Sequence, residues 1–417
     1  MKRRASQLVI DPAAGAMEGV RSFDLRAFDG LRGLAALYIV AHHARGGLWE
    51  GTQRALVDGG FAKLLAFATM PLKYGAEAVL LFFLLSGFVI HLRQAQSLAR
   101  GEAPSFRALS FFRRRAMRLV PPLLFALVLT AALDAIGSRA YASAYEFYTE
   151  GRTAFAFAMN ALFLQGFAAP PFGSNSALWS LSYEAIFYAL YPLLLFARVR
   201  FGARAAFGAV FVIGAAGSAV HIVSPAIVWT IAPYFAVWTL GALIAEAFTH
   251  GTAARRPLLM LALAFPLMAP SFAAPGSLDP TVKSVIFAPG LGLVMAVFVL
   301  HPWGLGAAAG LARLRGLGAR SYTLYVVHVP LLVFMAALWV RANGGLPGSG
   351  WLMAAGVAAA VALAYAVAPL VELPFSERAK LRARAPEAPA PANRTRLAGP
   401  RRAAVQYEEV ADERQAA

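Results

Sequence analysis

Ten apolar stretches of about 18–22 residues, each long enough to cross a hydrocarbon core of about 30 Å as a helix, dominate this sequence. They centre on residues 31–48, 76–92, 119–136, 178–197, 205–223, 226–247, 257–274, 284–301, 321–340 and 351–373. None alternates apolar and polar residues as a barrel strand would, so each segment must satisfy its own backbone hydrogen bonds. The expected fold is an all-α polytopic membrane protein, a bundle of about 10 transmembrane helices. Composition agrees: 14% of the residues are charged, against about 25% in a soluble domain.

An eleventh run, 153–168 (TAFAFAMNALFLQGFA), is shorter and holds Asn160 and Gln165. The positive-inside rule decides whether it crosses. If it does, Arg198, Arg200, Arg204 and every later basic loop fall outside. If it does not, the basic loops Arg93–Arg118, Arg198–Arg204, Arg255–Arg256 and Arg313–Arg320, and the tail from Arg378, all face the cytoplasm, with both termini. Ten spans satisfy the rule. Residues 137–177 then form an outer segment that can dip back into the membrane, provided it lines a protein cavity. Residues 1–25 are expected as a cytoplasmic tail, since no apolar core of about 7–15 residues precedes a cleavage site. The transmembrane domain covers 26–375, and 376–417 reads as a disordered, basic, Pro/Ala-rich cytoplasmic tail.

The same loops account for the net charge of +17, and no nucleic-acid motif accompanies it. The lipid bilayer, and not nucleic acid, is the expected partner. With no cysteine, disulfides, thiolate metal sites and a cysteinyl acyl-enzyme are excluded.

Ionisable residues inside these runs point to a site, because even lenient scales charge about 2.5–3.5 kcal/mol for one at mid-bilayer. The first run, FDGLRGLAALYIVAHHA, holds Asp29, Arg32, His42 and His43. Arg32 and His43 are eleven residues apart, which on a helix puts them within about 20° of one face and about 16 Å apart along the axis. Asp29 and Arg32 suit an i,i+3 pair at the helix start, and either histidine alone suits a satisfied buried group. In SFFRRRAMRLVPP, Arg114, Arg115 and Arg118 fall at i, i+1 and i+4. They serve either as a topology anchor or as a phosphate cradle, since arginine pairs bidentately with phosphate.

ALWSLSYEAIFYALYP carries Trp179 and Tyr183, which suit an interfacial belt, and Ser180, Ser182 and Glu184, which do not suit lipid. Glu184 would sit about a turn below the outer surface, where it could hold His43 in a base-competent tautomer. Ser86-Gly87 permits close helix packing. In ARSYTLYVVHVPLL, which also carries Tyr325, His328 lies about 10 Å in from the cytoplasmic end. Glu372 caps the last span, and His91, His221, His250 and His301 sit at span ends as interfacial groups.

FDGLRGLAAL…HH, LFFLLSGFVI, FFRRRAMRLVP, LWSLSYEAIFY, SYTLYVVHVPLL and VELPF, in that order over residues 24–380, resemble the acyltransferase-3 family of bacterial membrane O-acyltransferases. The resemblance implies a ten-span domain in the cytoplasmic (inner) membrane. Its activity would be transfer of an acyl group, commonly acetyl, from acyl-CoA to a hydroxyl of a surface polysaccharide, lipopolysaccharide, nodulation factor or macrolide. The family's Arg-x10-His pair falls on Arg32 and His43, its RRxxR block on Arg114, Arg115 and Arg118, and its WSLSxE block on Trp179, Ser182 and Glu184. Supporting positions are Asp29, Ser86, Gly87, Tyr325, His328 and Glu372. No metal or bound cofactor is expected, acyl-CoA being a co-substrate and a carbohydrate or glycolipid the acceptor. One departure is Leu80, where the family often has Asp, with Glu77 nearby. The hydrolase-like extracytoplasmic domain fused to some members is not expected. His43 would then act as general base. A transporter or flippase of a lipid-linked saccharide would also use buried charges, but no inverted pair of broken helices shows in the hydropathy.

Overall fold

The computed structural model describes residues 25–104, 106–273 and 278–375, so the two expected tails lie outside it apart from Leu25. Its helices are α1 (Arg26–Gly47), α2 (Thr52–Asp58), α3 (Gly60–Ala68), α4 (Gly75–Ala99), α5 (Ala108–Ala140), α6 (Ala154–Ala161) and α7 (Trp179–Phe201). There follow α8 (Ala203–Val223), α9 (Ile231–Thr249), α10 (Pro257–Ala273), α11 (Pro280–Leu300), α12 (Pro302–Leu311), α13 (Arg315–Gly318), α14 (Ser321–Asn343) and α15 (Trp351–Val371). Among the described residues there is no strand.

Eight helices are long and apolar enough to cross a membrane: α4, α5, α7, α8, α9, α11, α14 and α15. The other two helices of the expected ten fall short of that measure. α1 has the length, 22 residues or about 33 Å, but carries Arg26, Asp29, Arg32 and Arg45. α10 is apolar but has 17 residues. The chain is an all-α polytopic membrane protein.

The run 153–168 does not cross. Its helix, α6, has 8 residues, about 12 Å, and Thr153 caps its start by accepting from the Ala156 N–H at 3.0 Å. The segment from α6 to α7 instead folds back among the helices. Ser174 and Asn175 are fully buried. Asp134 of α5 accepts from the Ser174 N–H at 2.8 Å and from its hydroxyl at 2.6 Å. On the other side Asn175 Nδ2 donates to the Val326 carbonyl of α14 at 2.8 Å. That carbonyl is available because Pro330, four residues on, has no N–H to complete the helix.

The two ends of the bundle domain lie together. Asp29, at the start of α1, touches Gly318 so closely that a Cβ there would come within 1.7 Å of the Asp29 carbonyl oxygen. Glu372, just past α15, accepts from the Thr323 N–H at 2.9 Å and hydroxyl at 2.6 Å. It therefore satisfies an orphan donor at the N-terminus of α14, where a carboxylate also suits the helix dipole. α4 is the central helix, with 67% of its apolar window buried, against 28% for the peripheral α8 and α15. Gly87 explains how closely α4 packs. A Cβ there would lie 1.9 Å from the Trp238 carbonyl oxygen, so α4 and α9 cross backbone to backbone, with Ser86 buried beside the crossing.

Candidate active site

Four helices bring the polar residues of the sequence motifs into one column. α1 runs unbroken through Arg32 and His43, which keeps both on one stripe. At its start Arg32 Nη1 donates to Asp29 Oδ1 at 3.2 Å, the expected i,i+3 pair. Arg118 of α5 lies in electrostatic reach of Tyr188, Glu184, Glu372 and Asp29, and Arg32 of Arg118, Asp29 and Glu184. Two guanidiniums thus stand among three carboxylates, so no positive charge is left over at this level.

Arg115 has a different setting. Its guanidinium lies over the Phe111 ring at 4.4 Å and the Tyr188 ring at 5.9 Å, with Arg114 and Arg118 as charged neighbours. The structure therefore separates two of the three arginines: Arg118 has acids as its charged neighbours, while Arg115 lies over aromatic rings.

The column continues along α7 and α14. Tyr188 donates its hydroxyl to Glu184 Oε1. One turn on, Ser180 Oγ and the Tyr325 hydroxyl lie 2.7 Å apart, and that hydroxyl donates to the Ala177 carbonyl at 2.9 Å. Ser182 bonds back to the Trp179 carbonyl at 2.8 Å. Trp179 and Tyr183 belong to an aromatic cluster. They pack on each other and on Tyr234, and the Tyr183 hydroxyl lies 2.6 Å from Thr230 Oγ1.

His43 and His328 close the column. His43 Nδ1 is 3.0 Å from the Ile39 carbonyl and 3.2 Å from His328 Nε2, and His328 Nδ1 is 2.7 Å from the Tyr325 carbonyl. His328 is fully buried, while His43 keeps partial exposure. The residue in contact with His43 is thus His328 and not Glu184, which Tyr188 engages about 6 Å beyond Ser180 along α7. Nothing local could have revealed this, since 285 positions separate the two histidines.

His42 faces the segment between α3 and α4: its Nδ1 donates to the Leu72 carbonyl at 2.7 Å, and a Cβ at Gly75 would come within 2.3 Å of its ring. Tyr38 donates to the neighbouring Pro71 carbonyl, and Arg45 Nε to Thr69 Oγ1 at 3.1 Å. α4 thus begins level with His42, and α1 ends one turn beyond His43. Helix ends converge at this level, beside the part-exposed His43.

The model of the acyltransferase-3 family, an acyltransferase domain, matches residues 25–369. The chain belongs to this family. Among curated proteins it is similar to the O-acetyltransferase OatA of Staphylococcus aureus strains NCTC 8325, COL and MRSA252. Each is 24% identical over 364 residues, which cover 76% of this chain and 52% of the relative. The chain therefore spans about half the length of the curated relatives it matches. No solved structure matches it. The family match contains every column residue from Arg32 to Tyr325 and His328, and Glu372 lies three residues beyond it.

Two histidines expected at span ends are buried instead. His91 bonds Glu246 and Tyr191, at 3.0 and 3.2 Å, and His221 Nε2 lies 3.2 Å from Asp279. Both pair with residues far away in sequence, so hydropathy could not mark them. Among the described residues no group of three His, Cys, Asp or Glu side chains is arranged to hold a metal.

Proposed function

We propose that this protein is an O-acyltransferase of the bacterial cytoplasmic membrane that moves an acyl group, acetyl first among the candidates, from acyl-CoA to a hydroxyl of a surface carbohydrate or glycolipid. The observation that carries this reading is the polar column with arginines at one end and a part-exposed histidine at the other. A donor bound at one face can reach an acceptor at the opposite face through it. The S. aureus relatives, named as O-acetyltransferases, favour acetyl over longer groups.

In this reading the basic side of the bundle is cytoplasmic, because it gathers the Arg93–Arg118, Arg198–Arg204, Arg255–Arg256 and Arg313–Arg320 loops. Arg114 and Arg115 hold the donor phosphates, an assignment supported by the setting of Arg115 over aromatic rings with Arg114 and Arg118 as its charged neighbours, while Arg118 and Arg32 keep the acidic groups of the column compensated. His43 acts as general base. It takes the acceptor hydroxyl proton as the oxygen attacks the thioester carbonyl; the C–O bond forms, the C–S bond breaks, and the proton returns to the departing CoA thiolate. No covalent acyl-histidine is needed.

Purified protein in nanodiscs, given acetyl-CoA and fragments of surface carbohydrate, is expected to release free CoA and acetylate the carbohydrate. A wild-type protein that does neither with any acyl-CoA, while correctly inserted, overturns the reading. Mass spectrometry of surface polysaccharide from deletion and wild-type cells would name the acceptor by the loss of an acyl group.

A further inference from the structure

We propose that His328 is a positioning residue that fixes His43 in the tautomer carrying its proton on Nδ1, so that Nε2 is the atom that receives the acceptor's proton. This rests on His43 being the base.

The argument is a chain of obligatory donors and acceptors. A backbone carbonyl only accepts, so His328 Nδ1, 2.7 Å from the Tyr325 carbonyl, carries a proton. A neutral His328 then has a bare Nε2, which is an acceptor. Both neighbours of His43 Nδ1 are consequently acceptors: His328 Nε2 at 3.2 Å and the Ile39 carbonyl at 3.0 Å. A bare Nδ1 would face two lone pairs with nothing between them. The proton therefore sits on Nδ1, and the lone pair is on Nε2. The rings meet edge to face, with centroids 4.9 Å apart, which suits a bond in the plane of the accepting ring.

A carboxylate usually does this work for a catalytic histidine. Here a carboxylate against His43 would add a net charge inside the bilayer, whereas imidazole supplies the acceptor without one. When Nε2 takes the proton, the Nδ1–H of the resulting cation still points at His328 Nε2, which spreads the charge toward a second ring. When Nε2 gives the proton back to the leaving thiolate, the pair returns to its starting state with no net proton gained.

Two variants separate this role from plain packing. Gln at 328 can place an acceptor oxygen near the position of Nε2; Leu fills space and accepts nothing. His328→Leu is expected to lower kcat by about 10²-fold or more, as loss of a base in its working form does, with KM for acetyl-CoA unchanged. His328→Gln is expected to recover most of that loss. Nitrogen NMR of histidine-labelled full-length protein in nanodiscs reads the tautomer directly, with the His43 signal assigned from its loss in His43→Gln. The proton should sit on Nδ1 in wild type and in His328→Gln. A wild-type His43 protonated on Nε2, or equal kcat losses in the Gln and Leu variants, overturns the proposal. If His328→Leu fails to fold, His328→Ala takes its place in the comparison with Gln, because the Ile39 carbonyl alone also favours a proton on Nδ1. An active His43→Ala protein would refute His43 as the base without altering the NMR result, so the two failures are distinguishable.

Discussion

Two histidine clusters lie in this bundle, and they differ in how far their hydrogen-bonding capacity is used up. In one, His91 engages both ring nitrogens, with Tyr191 at 3.2 Å and Glu246 at 3.0 Å, and is fully buried. Glu246 in turn holds Arg198 through two bonds, at 2.7 and 3.1 Å, tying α4, α7 and α9 together. No atom is left for a ligand. In the other, His43 directs one nitrogen at two acceptors and has no partner for Nε2 among the described residues, at a level where helices begin and end. Saturation marks the first cluster as a fastening between helices. The open valence and partial exposure mark the second as a place for chemistry.

The difference requires that the clusters lie toward opposite faces, and this gives an all-or-none test. The native chain has no cysteine, so single cysteines report cleanly. Phe147, 94% exposed between α5 and α6, and Arg200, near the end of α7 that carries Arg198, should be labelled from opposite sides. Labelling from the same side would mean that 153–168 crosses after all. Ser174, on the same outer segment, is fully buried and would not react.

The next largest effect separates the clusters by function. His43→Ala should lower turnover by about 10²–10⁴-fold at unchanged thermal stability. Glu246→Gln should do the reverse, lowering stability by about 3 kcal/mol because it leaves Arg198 uncompensated, with activity per folded molecule retained. The low end of the usual range applies because Arg198 keeps 16% exposure. A stable but inactive Glu246→Gln protein would erase the distinction and make the basic-side cluster part of the catalytic machinery.

How much of this was legible in the sequence follows from the range of the forces involved. Lipid demands about 20 contiguous apolar residues per helix, so the spans could be read from local windows. The loop charges pointed to 153–168 as the run that does not cross, in keeping with its 8-residue helix, and i,i+3 spacing pointed to the Asp29–Arg32 pair. The tertiary partners were not legible. His43 meets His328, Glu372 reaches Thr323 of the neighbouring helix, and His91 meets Glu246, each across helices whose pairing no local window encodes. The resemblance supplied which residues belong to a site but not which of them touch. Glu184 was therefore expected beside His43, when Tyr188 on its own helix engages it.

A smaller effect tests the division among the arginines. Arg115→Gln should raise KM for acyl-CoA about tenfold through loss of one charge-assisted contact, with Lys restoring only part of it. Arg118→Gln should act differently. It removes a cation from beside Glu184, Glu372 and Asp29, so yield and stability should fall before donor affinity does. Equal rises in KM from both variants, at equal yield, would return Arg118 to the phosphate cradle.

The smallest effect sharpens the comparison inside the open site itself. His42 neighbours His43 in sequence, and the rings are 4.9 Å apart, yet its Nδ1–H is committed to the Leu72 carbonyl at 2.7 Å. That makes it a fastening for the segment leading into α4, like His91 at the other face but with one bond. His42→Ala should cost about one hydrogen bond, 0.5–1.5 kcal/mol, and so lower turnover less than about tenfold. Asn at 42 carries a donor close to the position of Nδ1 and should recover the loss, because only the bond to Leu72 matters. If His42→Ala is as inactive as His43→Ala and Asn does not rescue it, proximity and not bonding saturation governs which histidines react, and the contrast between the two clusters fails.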